Sequence, residues 1–297
     1  MGRALAAASA PAAAAWQEAD AALGEPISTL AWEGPAEQLD LTVNAQPALL
    51  AASIAAQRAW EADLDGADPR WSPPSYYAGH SMGQYSAMVA AGVLSLADAM
   101  RLVRERGRLM QASSDDGAMA AIIGLPEEKD DELLAIGSAE GILTIANRNS
   151  PGQIVVSGER RAVETAAGAA KSLGARRGMV LPVSVAAHSP LMAEAAEGMR
   201  QALAEVSFSA PTAPLLANAD AILLSDGEAC RDELIDHLTR GVDWVTAVET
   251  MVAAGTDTFV EVGPGKVLTG LVRRIAPDAT TVAIDDITTE RGIELPA

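Results

Sequence analysis

The chain has 297 residues, enough for one large domain or two modest ones, and 49% of them are apolar, so a real core can be buried even though aromatic residues supply only 3%. Lys and Arg total 21 against 40 Asp and Glu, a formal charge of −19, which excludes the basic balance of a nucleic-acid binder and obliges any acidic partner to find a local basic patch. The single cysteine, Cys230, excludes an internal disulfide and points to a reducing compartment, the cytoplasm, and no apolar run reaches the roughly 18 residues of a membrane span.

Arg3 precedes an alanine-rich run, residues 4–15, that imitates a secretory signal. Pro11 interrupts it and Leu5 is its only large aliphatic residue, so it reads as a helix packed on the domain surface. Residues 75–78 read as a strand, Gly79-His80-Ser81-Met82-Gly83 as a sharp turn, and residues 84–91 as a helix stopped by Gly92. Ser95-Leu96-Ala97-Asp98 is a capping box opening a helix that runs to about Gln111. After a polar break at 113–116 come a strand (118–125), a helix (126–136), two strands (142–146 and 153–157) joined through Asn149-Ser150-Pro151-Gly152, a helix (161–173) and a strand (178–185). That order is the ferredoxin-like pattern, an α+β subdomain over 116–185. It is inserted between two α/β segments, 1–115 and 186–297, in which helices alternate with strands. The second segment has a helix at 190–206, a strand at 214–218, a helix around 233–238, a strand at 258–262 and a helix at 266–275.

Gly-x-Ser-x-Gly after a strand and before a helix is a nucleophile elbow; a plain tight turn is the competing reading. As an elbow, it presents the Ser81 hydroxyl at a helix N-terminus, where free N–H groups stabilise an oxyanion, the equipment for acyl transfer through an acyl-serine. Arg106 lies within the apolar arc that Leu96, Ala99, Met100, Leu102, Val103, Gly107, Leu109 and Met110 share at helical spacing. A buried guanidinium needs an anion. Either a core Asp or Glu pairs with it, or it is a fork for a substrate carboxylate. His188 stands at a strand-to-helix junction ahead of Ser189-Pro190, a good cap pair, and reads either as the base for Ser81 or as a solvent-facing loop residue. His80 lines the pocket or merely packs, and His237, between Asp236 and Leu238 in a predicted helix, reads by default as surface. Gly263-Pro264-Gly265-Lys266 lacks the full phosphate-loop pattern and reads as a tight turn. No cluster has metal-ligand spacing.

Taken together, these stretches resemble the malonyl-CoA:acyl carrier protein transacylases of bacterial fatty-acid synthesis, from Met1 to about Asp285. The likeness rests on Gly79-His80-Ser81-Met82-Gly83-Gln84-Tyr85-Ser86-Ala87, Arg104-Glu105-Arg106-Gly107, Gly117-Ala118-Met119-Ala120-Ala121-Ile122, Asn149-Ser150-Pro151-Gly152-Gln153, Leu181-Pro182-Val183-Ser184-Val185 with His188, and Glu261-Val262-Gly263-Pro264-Gly265-Lys266-Val267-Leu268. The resemblance implies a hydrolase-like parallel-sheet α/β domain with an inserted ferredoxin-like subdomain. It also implies that Ser81 attacks the thioester of malonyl-CoA, His188 moves the proton, Arg106 holds the malonyl carboxylate, His80 lines the pocket and the Met82 N–H is an oxyanion donor. Gln46 and Asn149 are further substrate-binding candidates. The acceptor is the phosphopantetheine thiol of acyl carrier protein. No bound cofactor, metal, nucleic acid or membrane is expected, and the working form is a monomer.

Three departures accompany the likeness. Gln84 replaces a glutamate common after this elbow, with little expected consequence. His237 stands where a glutamine usually supplies the backbone carbonyl that orients the catalytic histidine; any residue can do that. The family's first strand and Gly-Gln-Gly-Ser-Gln loop, which carries the second oxyanion donor, have no counterpart ahead of Met1-Gly2, so the expectation is a sequence that begins at an internal methionine. A serine hydrolase or thioesterase, and an inactive homologue that only binds carrier protein, are the alternatives. Lys171, Arg176, Arg177, Lys266, Arg273 and Arg274 are the candidate basic groups for docking an acidic carrier protein.

Overall fold

The computed structural model describes residues 1–64, 73–113 and 116–285. Five helices open the chain: α1 (Arg3–Ala8), α2 (Ala10–Leu23), α3 (Ile27–Glu33), α4 (Ala36–Leu39) and α5 (Thr42–Leu64). The alanine-rich run is two helices, because the Ser9 hydroxyl caps α2 and Pro11 sits in its first turn. Leu5, Ala12, Ala15 and Trp16 are enclosed, so the run lines the main core, where its small methyl groups let α2 lie close on α5 and α7. Helix α6 (Gly83–Ala90) follows the elbow and ends at Gly92, whose φ is 76°. Helix α7 (Leu96–Ala112) starts at Ser95, whose Oγ accepts the Asp98 N–H at 3.0 Å and donates to the Asp98 carboxylate at 2.6 Å. Its buried face carries Leu102, Val103, Arg106, Gly107 and Met110, as its periodicity predicts.

The small subdomain comprises β1 (Gly117–Ile123), α8 (Asp130–Ser138), β2 (Leu143–Ser150), β3 (Gln153–Glu159), α9 (Arg160–Ala169) and β4 (Arg177–Val180), with strand order β4-β1-β3-β2. Leu133, Val156 and Val163 are among its enclosed core residues. Two details differ from the sequence reading. The hairpin turn is only Pro151-Gly152, because β2 continues through Asn149 to Ser150. Strand β4 stops at Val180 rather than Val185, because Pro182 has no N–H to continue the ladder and the Val183 N–H folds back onto the Leu181 carbonyl at 2.8 Å.

The remaining elements are α10 (Ala193–Ala204), β5 (Leu215–Leu216), β6 (Leu223–Leu224), α11 (Gly227–Arg240), β7 (Val242–Asp243), α12 (Trp244–Ala253), β8 (Thr258–Val262), α13 (Val267–Ile275) and β9 (Thr280–Ile284). Tyr77, just before the elbow, bridges Leu215 in parallel, and β8 pairs with β9 in parallel. These are separate pieces of sheet among the described residues. Strand β7 adds to β2 in parallel and so ties the small subdomain to the elbow side of the molecule. Among the described residues no helix is long and apolar enough to cross a membrane.

Candidate active site

The elbow is tight because of Gly79. A Cβ there would lie 2.1 Å from the Gly83 backbone, whereas one on Gly83 would meet open space. Only the first of the two glycines is therefore required for the turn. Ser81 itself holds φ at 54°, a conformation an L-residue avoids. Asn218 keeps it there: its Oδ1 accepts the Ser81 N–H at 2.8 Å, its Nδ2 donates to the Gly79 carbonyl at 3.0 Å, and its own N–H donates to the buried Glu233 carboxyl at 2.7 Å. Gln84 braces the same turn, accepting the Gly79 N–H at 3.2 Å and donating to the Leu216 carbonyl at 2.9 Å. The Gly83, Gln84 and Tyr85 N–H groups bond back to the His80, Ser81 and Met82 carbonyls. The Met82 N–H takes no part in these bonds.

His188 Nε2 lies 2.8 Å from Ser81 Oγ, and its Nδ1 lies 2.6 Å from the His237 carbonyl oxygen. A carbonyl only accepts, so Nδ1 carries the proton and Nε2 presents its lone pair to the serine. His188 also has a positive φ, 60°, and is enclosed rather than solvent-facing. Burial, and then the positive charge of Arg106, push its pKa down to about 3, so its imidazole is neutral at physiological pH.

Arg106 is 2% exposed. Its Nη1 donates to Gln46 Oε1 at 2.6 Å, and its Nη2 reaches Ser81 Oγ at 3.1 Å and His237 Nε2 at 3.3 Å. All three partners are neutral, and Nε is buried with no partner among the described residues. The core ion pair that would have made Arg106 structural is not what surrounds it. A buried guanidinium among neutral acceptors, beside the Ser81 hydroxyl, has donors left to meet an anion. Gln46 reaches it because Gly107 lets α7 approach the start of α5: a Cβ there would lie 2.7 Å from the Val43 Cα.

His237 departs from its default surface reading. It is completely buried because the inner face of α11, with Cys230, Leu234 and Leu238, packs into the core. His80 is half-buried. Its Nε2 contacts Asn149 Oδ1 at 2.8 Å and its ring lies 5.8 Å from that of Trp244. Asn149 turns toward it because the β2–β3 register shifts between Arg148 and Ser150 and leaves it unpaired. The structure thus gathers Ser81, His188, Arg106, Gln46 and His237 in one bonded cluster, with His80 and Asn149 beside the elbow. Asn218, Glu233 and Trp244 are what sequence reasoning missed. Asn218 closes a predicted strand at its carboxyl end, where α/β sites form, and that position was the available signal. The Gly263–Lys266 turn is no phosphate loop: the Glu261 carboxylate accepts the Leu268 and Thr269 N–H groups at 3.0 and 2.6 Å and already occupies the start of α13.

Residues 1–287 match the family described as acyl transferase domain. The chain belongs to this acyl transferase family. Among curated relatives it is 46% identical over 275 residues to the malonyl CoA-acyl carrier protein transacylase of Escherichia coli (strain K12), covering 91% of this chain and 86% of that one. Among solved structures it superposes on the acyl-carrier-protein-S-malonyltransferase of Bartonella henselae with a TM-score of 0.92 at 43% identity, covering 98% of this chain and 92% of the other. A malonyl-transacylase in complex with its type II PKS acyl-carrier protein matches with a TM-score of 0.90 at 39% identity, covering 96% and 91%. In this acyl transferase the expected α/β fold is present.

Proposed function

We infer that this acyl transferase moves a malonyl group to the thiol of acyl carrier protein, for fatty-acid synthesis, through a malonyl-serine. The observation that carries this reading is Arg106, a buried guanidinium whose Nη2 reaches Ser81 Oγ, whose bonded neighbours are neutral and whose Nε has no partner among the described residues. A plain esterase has no use for such a group, whereas a carboxylated acyl chain supplies the anion it lacks. Malonyl-CoA is the donor in this reading. The working form is a cytoplasmic monomer with no bound cofactor.

In the first half-reaction the Ser81 oxygen attacks the thioester carbonyl while its proton passes to His188 Nε2. The oxygen that becomes negative is met by the Met82 N–H. Collapse breaks the carbon–sulfur bond, and the CoA sulfur leaves with the proton from His188. In the second half the carrier-protein thiol gives its proton to His188 and attacks the malonyl-serine, and Ser81 recovers the proton as it leaves. The two halves make a ping-pong cycle. The substrate carboxylate also adjusts the base. Pairing with Arg106 cancels a charge that, after burial, holds His188 down, so the imidazole becomes more basic when the malonyl group is seated.

Intact mass after incubation with malonyl-CoA tests the reading. The expected result is an adduct of one malonyl unit that is lost in Ser81→Ala. A folded protein that acquires no adduct, or a Ser81→Ala variant that still does, refutes it.

A further inference from the structure

The Arg106 guanidinium is held from two sides, by Gln46 on α5 and by His237 on α11. The His237 side chain has a defined protonation pattern. Its Nδ1 lies 2.9 Å from the Glu233 carbonyl one helical turn earlier, and its Nε2 lies 3.3 Å from Arg106 Nη2. A carbonyl oxygen only accepts and a guanidinium only donates. One arrangement satisfies both: the proton on Nδ1 and the lone pair on Nε2. The Tyr85 ring, 6.4 Å away edge-on, closes another side of the imidazole, and the residue is entirely buried. A second proton would set an N–H against a cationic N–H, so the ring is confined to its neutral form. Burial, and next the Arg106 charge, hold its pKa well below the ordinary histidine range. The backbone of the same residue orients His188. Residue 237 therefore touches both halves of the site by separable means, its carbonyl serving the base and its ring serving the arginine.

We propose that the His237 side chain is a positioning residue that, as a neutral acceptor, aims the Arg106 fork at the acyl carboxylate and so sets the preference for carboxylated over plain acyl thioesters. This role rests on Arg106 gripping that carboxylate, as inferred above. The third anchor of Arg106, Ser81 Oγ, becomes an ester oxygen, a weaker acceptor, when the acyl-serine forms. From then on Gln46 and His237 are the stronger anchors of the fork among the described residues.

His237→Leu preserves the backbone carbonyl and removes only the ring acceptor. The expected result is a raised KM for malonyl-CoA, with the malonyl-to-acetyl acylation ratio falling about tenfold. His237→Gln, whose Oε1 can accept, returns that ratio to within about threefold of wild type. An unchanged ratio in His237→Leu, or an equal loss with both thioesters, overturns the proposal. A second readout needs no variant to fold: long-range ¹H–¹⁵N imidazole spectra of the wild type at pH 7 should show His237 protonated on Nδ1 and bare on Nε2. A proton on Nε2 overturns the proposal. If the wild type takes no acyl group from malonyl-CoA, the functional reading fails instead, and the tautomer still reports on the contact with Arg106.

Discussion

Replacing Arg106 by alanine should convert a malonyl-selective site into one that no longer distinguishes malonyl from acetyl thioesters. Among the described residues the guanidinium bonds to Gln46, Ser81 and His237, none of them charged. A carboxylate seated on it would add two charge-assisted hydrogen bonds of about 1.5–3 kcal/mol each. Their loss amounts to about 3–6 kcal/mol, or roughly 10²–10⁴ in the relative rate of acylation. Acetyl-CoA has no carboxylate to lose, and Arg106 depresses His188, so acetylation of the variant should hold or rise. Rapid-quench acylation followed by intact mass, run with both thioesters and with a thermal melt to verify folding, measures the ratio directly. An unchanged malonyl-to-acetyl ratio in a folded Arg106→Ala protein would mean that the carboxylate is recognised elsewhere and would refute the reasoning. So would a parallel loss with both thioesters.

Four further outcomes follow from the geometry and the charge. Burial pushes the Glu233 carboxyl up to about 7 from 4.5. Its stabilising contribution is therefore complete below pH 4.5 and lost as pH rises through 7, and Glu233→Gln, which keeps an acceptor for the Asn218 N–H, should be more stable by about 3 kcal/mol at pH 8 and unchanged near pH 4.5; a melting-temperature gain independent of pH contradicts this. His80, His188 and His237 act with the opposite sign, since their pKa values are lowered and the unfolded chain binds more protons below about pH 6.5, so acidification from there should destabilise the wild type in the same melts. Gly107→Ala gains about 1 kcal/mol of helix propensity but drives a methyl into the α5 backbone, which costs about 1–3 kcal/mol; a net fall in denaturation midpoint and a higher KM for malonyl-CoA are expected, and a midpoint that rises argues against the close approach. Because the chain carries −19 overall, docking of an acidic carrier protein depends on local basic groups, and added salt should slow transfer to carrier protein more than acylation by malonyl-CoA; equal slowing of both half-reactions goes against that patch.

What the sequence determined by itself was local. The Gly79–Gly83 elbow, the capping box at Ser95, the apolar arc containing Arg106 and the strand-helix order of the small subdomain are periodicities and short spacings, written in neighbouring residues. The terminus of β4 at Val180 is legible too, in Pro182, which has no N–H to continue the ladder. The partners were decided by tertiary structure. That Arg106 meets Gln46, Ser81 and His237 instead of a core carboxylate depends on α5, the elbow ahead of α6 and α11 converging on α7, contacts separated by 60, 25 and 131 residues along the chain. His237 reads as surface from its place in a predicted helix between Asp236 and Leu238, whereas burial is set by which face of α11 meets the core. Glu233, and the bonding partners of Asn218, were silent for the same reason. Asn218 clamps a turn 137 residues earlier, and a side chain's hydrogen-bond partners belong to the folded surface it meets rather than to the sequence around it.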